Sequence, residues 1–202
     1  MKGDLLDVGC GEMPFRAFLP DDVRYTGIDV PQADAFSMAG GTDVHSFDGR
    51  TIPFPDASFD YILCTEVLEH AEAPEMLVAE MLRVLRPGGT LLATIPFSAR
   101  VHYAPYDFQR FTRFGLQRLF AAFEAPHIEE RGNDIAVIAN KLIVLCARLA
   151  RPSRWLPVTW LGALIVGLVG SLFLAVAHVS MLLGRGSTDD PLGYAIAAKR
   201  LA

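Results

Sequence analysis

The spacing of apolar positions changes several times along the chain, and each change marks an element. The stretch from Leu5 to Gly11 reads Leu-Leu-Asp-Val-Gly-Cys-Gly, a short apolar run that breaks into a glycine turn. A second run closes on Asp29, a third covers Tyr61 to Cys64 after a turn rich in Pro, Asp and Ser, and a fourth covers Thr90 to Ile95. Runs this short and this apolar suit strands buried on both faces of a parallel sheet. Between them the period lengthens. From Pro74 onward, Leu77, Val78, Met81, Leu82 and Leu85 recur at helical spacing, and Pro87-Gly88-Gly89 reads as the end of that helix. Pro14 suits the first turn of a helix after the glycine turn. Thr112 can cap a helix whose apolar face is Leu116, Leu119, Phe120 and Phe123. Strands alternating with helices predict an α/β fold with a doubly wound, mostly parallel sheet. Ligands of such sheets sit beyond the carboxyl ends of the strands, where Asp7–Gly11, Asp29, Asp48–Gly49 and Cys64–Glu66 all fall.

The pattern changes again near residue 135. Ile135 to Leu149 is apolar apart from Asn140, Lys141 and Arg148; Arg151, Pro152 and Arg154 follow, and Trp155 to Gly184 carries no formal charge. An uncharged run of this length could span a bilayer, which takes about 20 apolar residues, and Trp155 and Trp160 suit an interfacial anchor. A buried helix or a self-association surface between copies explains the same run. The organisation expected is a core over 1–134, a hydrophobic helical insertion over 135–186, and a last strand within 187–202.

Charge sharpens this division. Residues 1–134 hold 11 Lys/Arg against 21 Asp/Glu, whereas residues 135–202 hold 7 against 2. The acidic body argues against a nucleic-acid partner, whose phosphates need a basic footprint. The basic end coincides with the greasiest part of the chain, a membrane-surface signal. Three cysteines, Cys10, Cys64 and Cys146, form no Cys-x-x-Cys pair and imply no disulfide framework, so a reducing cytosol is the simplest compartment. No cleavable leader is read at the N-terminus. The five histidines, His45, His70, His102, His127 and His178, show no ligand spacing, so no metal site is expected.

Glycines at a strand end let backbone N–H groups approach a ligand, and an acid at the tip of the next strand can take both hydroxyls of a ribose. A dinucleotide site wants a third glycine after Gly9 and Gly11, and Pro14 stands there instead, which disfavours a nicotinamide-linked oxidoreductase. Asp7, Gly9 and Gly11 resemble motif I, D-x-G-x-G, of class I S-adenosylmethionine-dependent methyltransferases; the further glycine frequent in that motif is Met13 here. The run Asp48 to Asp60, containing Ile52-Pro53-Phe54-Pro55-Asp56-Ala57-Ser58-Phe59-Asp60, resembles the D-x-x-x-L-P-F-x-D-x-S-F-D stretch of the methyltransferase-11 type family. Arg83 to Leu91 resembles that family's R-x-L-K-P-G-G-x-L stretch. The likeness covers residues 4 to about 131 and a final strand at Leu192–Lys199, which must rejoin the sheet beside the strand near His127–Arg131.

The resemblance implies S-adenosyl-L-methionine as cofactor, held by Asp7, Gly9, Cys10, Gly11, Asp29, Asp48 and Gly49, with Cys64 and Thr65 near its methionine part. It places the loop His102–Thr112 on the acceptor side. There Tyr106, Asp107 and Arg110 are candidate substrate contacts, and His70 and His102 are the candidate bases for an acceptor that must lose a proton. Anchoring of a long loop by Tyr106, Phe108 and Phe111, with an Asp107–Arg110 ion pair, accounts for the same residues. Family members usually carry helices ahead of the first strand, and this sequence begins three residues before it, so either the chain is a fragment or the insertion or a partner supplies the cover. The function expected is a methyltransferase acting on a small or lipid-linked acceptor at the cytoplasmic membrane face. The insertion would form a helical hairpin there, since a single crossing would strand the last strand across the bilayer. The alternative is a non-catalytic cofactor-binding or membrane-partner module on the same fold.

Overall fold

The computed structural model describes residues 2–31, 44–151 and 156–202. Its strands are β1 (Gly3–Val8), β2 (Val23–Asp29), β3 (Val44–Ser46), β4 (Phe59–Thr65), β5 (Leu85–Pro96), β6 (Glu124–Arg131) and β7 (Gly193–Lys199). The helices are α1 (Pro74–Val84), α2 (Arg113–Leu119), α3 (Asp134–Leu149) and α4 (Leu156–Leu182). All seven strands form one sheet in the order β3-β2-β1-β4-β5-β7-β6. Strands β1 to β5 pair in parallel, with Val8 level with Ile28 on one side and with Cys64 on the other. At one end of β5, Gly88 N–H donates to the Arg200 carbonyl; at the other, Phe97 N–H donates to that of Leu192. Strand β7 therefore runs against β5 and completes a mixed, mostly parallel sheet.

The core sits on this sheet. Leu6, Ile28, Ile62 and Leu91, on four neighbouring strands, are fully buried, as are Leu77 and Met81 of α1 and Leu116 and Phe120 at α2. Thr112 caps α2 by accepting from Gly115 N–H, as its sequence position predicts. Two local expectations fail. No α-helix follows Pro14: the link from Gly9 to Asp22 holds a single 3₁₀ turn at Arg16–Phe18. Gly11 and Met13 both take positive φ, and Pro20 follows soon after, so helical geometry is interrupted on both sides. In addition, α1 ends at Val84, and Pro87-Gly88-Gly89 lies inside β5. There the β4–β5 register jumps from Phe59↔Leu85 to Tyr61↔Thr90, so these residues bulge out of the ladder. Arg200 supports the junction by donating to the carbonyls of Leu82, Arg83 and Leu85.

The described residues divide into two compact units, one comprising 1–96, 100–129 and 194–202, the other 97–99 and 130–193. The second is dominated by α3 and α4. Added methyls on Gly162, Gly167 and Gly170 of α4 would lie 3.6 Å from Leu149, 3.1 Å from Cys146 and 3.3 Å from Leu142. As α4 advances its partners on α3 recede, so the helices form an antiparallel hairpin. Its open end is tied by Asn133. The Asn133 side chain accepts from Ala136 N–H as the cap of α3 and donates to Ser180 Oγ and the Arg185 carbonyl. Residues Val158–Leu182 are long and apolar enough to cross a membrane by length and composition, and most of them are not buried. Pro152, Arg154 and Trp155 lie outside the described residues, whereas Trp160 is exposed on α4.

Candidate active site

Strand β1 ends at Val8, and the chain turns at Gly9 with φ +70°. Gly9 is held there by its N–H, which donates to the Ile28 carbonyl. A Cβ on Gly9 would lie 2.4 Å from Val67 Cγ2, so only glycine fits between this turn and the segment after β4. At the end of β2, the Asp29 carboxylate accepts from Gly11 N–H at 2.8 Å and from Val30 N–H at 2.7 Å. Two backbone donors thus hold both carboxylate oxygens in place. At the end of β3, Asp48 Oδ1 accepts from Arg50 and Thr51 N–H, which folds the Asp48-Gly49 turn and keeps the carboxyl below its ordinary range.

These strand ends border a cavity of about 390 Å³. Gly9 and Asp29 line one part of it, and Phe47, Asp48 and Gly49 another. Val30, Phe47, Ala71 and Leu77 supply apolar walls, and Glu66, Val67, His70, Tyr103, Tyr106 and Phe108 close it from the segments after β4 and β5. Across its rim, Arg50 and Glu72 pair at 2.7 Å.

Of the residues expected at the cofactor, Gly9, Asp29, Asp48 and Gly49 line this cavity together. Gly11 contributes through its bond to Asp29. The other four are placed differently. Asp7 is 1% exposed and accepts from the Tyr25 hydroxyl at 2.5 Å, while its Oδ1 has no hydrogen-bond partner among the described residues. Burial, with a smaller push from Asp29, raises its carboxyl to about 6. Cys10 is buried against Gly27, and burial raises its thiol to about 12. Cys64 is buried within β4 and its thiol is raised for the same reason, and Thr65 ends that strand outside the lining.

Of the residues expected on the acceptor side, His70 and Tyr106 line the cavity, whereas His102, Asp107 and Arg110 are outside its lining. The Asp107 side chain is 1% exposed and is bound by Arg110 at 2.5 and 2.8 Å and by His102 N–H at 2.9 Å. The guanidinium holds the Asp107 carboxyl far below its usual range. This pair braces the loop and does not reach the cavity. Gln109 anchors the loop further by donating to the carbonyls of Leu68 and Ala71. His70 Nε2 lies 3.2 Å from His102 Nε2. Glu69, fully buried, places Oε1 at 3.7 and 3.8 Å from these two nitrogens. Neither Glu69 oxygen has a hydrogen-bond partner among the described residues. Burial raises its carboxyl to about 8, and burial lowers the His70 imidazole.

Ligand atoms of Glu69, His70 and His102 all lie within 4.8 Å of one another. The spacing of histidines in the sequence does not reveal this cluster, because His102 arrives from another loop. The only local signal is an acid between Leu68 and Ala71, both buried. The apolar walls, Val30, Phe47 and Leu77, also escape sequence reading, since each resembles any other core position.

Comparison with known proteins agrees with this architecture. Residues 6–93 match the family described as a methyltransferase domain. A probable S-adenosylmethionine-dependent methyltransferase from Mycolicibacterium smegmatis is 31% identical over 137 residues, 65% of this chain and 52% of that protein. The 27-O-demethylrifamycin SV methyltransferase of Amycolatopsis mediterranei is 37% identical over 98 residues, 43% of this chain and 36% of the relative. The chain thus spans about half or less of the length of these relatives. Among solved structures, the [4+2]-cyclase SpnF superposes with a TM-score of 0.59 at 23% identity, over 100% of this chain and 76% of that one. Phosphoethanolamine N-methyltransferase 2 of Haemonchus contortus, solved with S-adenosyl-L-methionine, gives 0.59 at 16% over 100% and 50%. These likenesses establish the fold; that one neighbour is a cyclase illustrates that the fold alone does not set the reaction.

Proposed function

We propose that the protein is an S-adenosylmethionine-dependent methyltransferase with its cofactor in the Gly9–Asp29 cavity, a reading supported by the match of residues 6–93 to the methyltransferase-domain family. The observation that carries the reading is the Asp29 carboxylate, fixed by two backbone N–H groups at the mouth of the glycine turn. The residues fit the cofactor: Asp29 offers acceptor lone pairs to ribose hydroxyls, the turn at Gly9 exposes backbone without a side chain, and Val30, Phe47 and Leu77 offer apolar walls to a base. When bound, S-adenosylmethionine supplies a methyl group on a sulfonium. The protein's task is to hold the partners in line and keep water away, and positioning of that kind supplies ~7–11 kcal/mol. His70 at the wall, with His102 behind it, furnishes imidazoles to an acceptor that must lose a proton, as long as their Nε2 lone pairs are not engaged by an ion.

Calorimetric titration of S-adenosylmethionine tests the assignment. Asp29→Ala is expected to weaken binding by ~1–3 kcal/mol, the usual cost of leaving buried polar groups unpaired. Unchanged affinity would remove Asp29 from the site. The acceptor is sought by comparing metabolite and lipid extracts of cells with and without the protein for a missing methyl mass.

The proposal extends to location. The hairpin of α3 and α4 lies on the cytoplasmic face of a membrane and brings the enzyme to an apolar or lipid-linked acceptor. Supporting this, Leu161, Leu164, Leu168 and Leu172 of α4 are each at least 60% exposed, and arginines flank the run.

A further inference from the structure

The tautomers of His70 and His102 follow from their partners. His70 Nδ1 lies 2.7 Å from the Tyr106 carbonyl oxygen, which can only accept, so Nδ1 carries the hydrogen. His102 Nδ1 lies 3.2 Å from the Arg100 carbonyl and 3.2 Å from the Asp107 carboxylate, both acceptors, so it too carries its hydrogen. In the neutral rings both Nε2 atoms are then bare lone pairs, and they face each other at 3.2 Å. Two acceptors at this distance repel unless something positive lies between them. The third group pointing at the same spot, Glu69, is a fully buried carboxyl with no hydrogen-bond partner among the described residues. A buried carboxyl without a partner is costly, and so is a pair of opposed lone pairs. A single cation relieves both.

We propose that Glu69, His70 and His102 form a binding site for a divalent transition-metal ion of the zinc class. The geometry is that of three corners of a tetrahedron. With metal–ligand bonds near 2.0–2.1 Å, tetrahedral ligand atoms stand about 3.3–3.4 Å apart; the three donor atoms here are 3.2, 3.7 and 3.8 Å apart. Two imidazoles and one carboxylate suit zinc and its neighbours, whereas magnesium prefers oxygen donors in an octahedron. The outer contacts are in place as well. The Tyr106 and Arg100 carbonyls orient the two rings by accepting from their Nδ1–H groups, and Asp107, held by Arg110, lies 3.2 Å from His102 Nδ1. Three protein ligands leave a fourth position for water or an oxygen ligand, and His70 puts the ion at the cavity wall. This site deepens the methyltransferase reading on its acceptor side, but the binding of the ion stands without it.

The test therefore uses no cofactor and no turnover. The full chain, stripped with chelator, is titrated with zinc sulfate by calorimetry and, after dialysis, its metal content is measured. One equivalent is expected, with magnesium chloride giving no heat at the same concentrations. His102→Ala and His70→Ala each lower zinc affinity at least tenfold, while His127→Ala, on the exposed side of β6, leaves it unchanged. Circular dichroism of each variant verifies folding; His102 is partly exposed, so its loss leaves the core intact even if Glu69→Gln does not fold. No stoichiometric zinc in the wild type, or equal affinity in His102→Ala, overturns the site. Cofactor binding, measured separately with Asp29→Ala, fails or survives independently of this result.

Discussion

At the scale of single residues, the acids of the sheet divide into those that face the cavity and those that hold it up. Asp29 lines the cavity with its carboxylate fixed by the N–H groups of Gly11 and Val30. Asp7, one strand away, is buried and accepts from the Tyr25 hydroxyl, its other oxygen having no hydrogen-bond partner among the described residues. Its carboxyl is raised from 3.8 to about 6, chiefly by burial. The folded state therefore binds a proton more tightly than the unfolded chain. Asp7 costs nothing below about pH 4, and its contribution to stability is lost as pH rises through about 6. By pH 7 the cost is on the order of 3 kcal/mol. Asp7→Asn removes the charge and keeps the shape. Urea unfolding at a series of pH values is expected to show the wild type losing stability relative to Asp7→Asn between about pH 4 and pH 6 and the two curves running parallel outside that window. Parallel curves throughout would mean that Asp7 does not titrate there.

At the scale of elements, side chains that reach across the chain decide where elements begin and end. Arg83 is one: it binds Glu80 within α1, Asp56, and the carbonyls of Ile52 and Phe54, and so shapes the irregular segment between β3 and β4. Asn133 is another. As the cap of α3 it satisfies Ala136 N–H, and its amide bonds Ser180 and the Arg185 carbonyl at the far end of α4. One buried residue thus serves two helix termini. Asn133→Ala loses the cap and leaves the Arg185 carbonyl without this donor, a combined cost of about 2–3 kcal/mol in denaturant unfolding. A loss below about 0.5 kcal/mol would show that water replaces these bonds. Asn133→Asp, which keeps the cap but not the amide donor, is expected to fall between the two.

For the whole molecule, the uneven distribution of charge and apolar surface is the main feature. An acidic body carries the cavity, and a basic, apolar hairpin carries most of the exposed leucines. Surface of that kind seeks a bilayer or another apolar partner. Flotation of the protein with vesicles containing anionic lipid is expected to carry the wild type upward. The triple variant Leu164→Asp, Leu168→Asp, Leu172→Asp should stay at the bottom, because each charge opposes transfer into the interface. Sedimentation in the absence of lipid separates the competing outcome: a defined oligomer that the same substitutions dissolve would mean that copies of the chain cover this face. A soluble monomer without lipid or detergent would remove both roles from the hairpin.

What the sequence by itself determined is what local chemistry can encode. The strand ends at Gly9 and Asp29, the cap at Thr112, the apolar periodicity of α1 and the charge-free stretch of α4 are each written within a few residues, because turn geometry, capping and amphipathicity are short-range. The tertiary structure decided whatever depends on distant segments meeting. Pro87-Gly88-Gly89 lies within β5 because the end of β7 pairs there: Gly88 N–H donates to the Arg200 carbonyl and Arg200 N–H to that of Gly89. Asp107 and Arg110 turn to each other because the loop is pinned on the segment after β4, so residues that resemble acceptor contacts become a brace. His70 and His102, 32 residues apart, meet over Glu69 only because β4 and β5 are neighbours in the sheet and both loops leave from the same edge. Spacing along the chain carries no trace of that meeting, since it is the sheet order, set by the burial of all its strands together, that brings the three groups to one place.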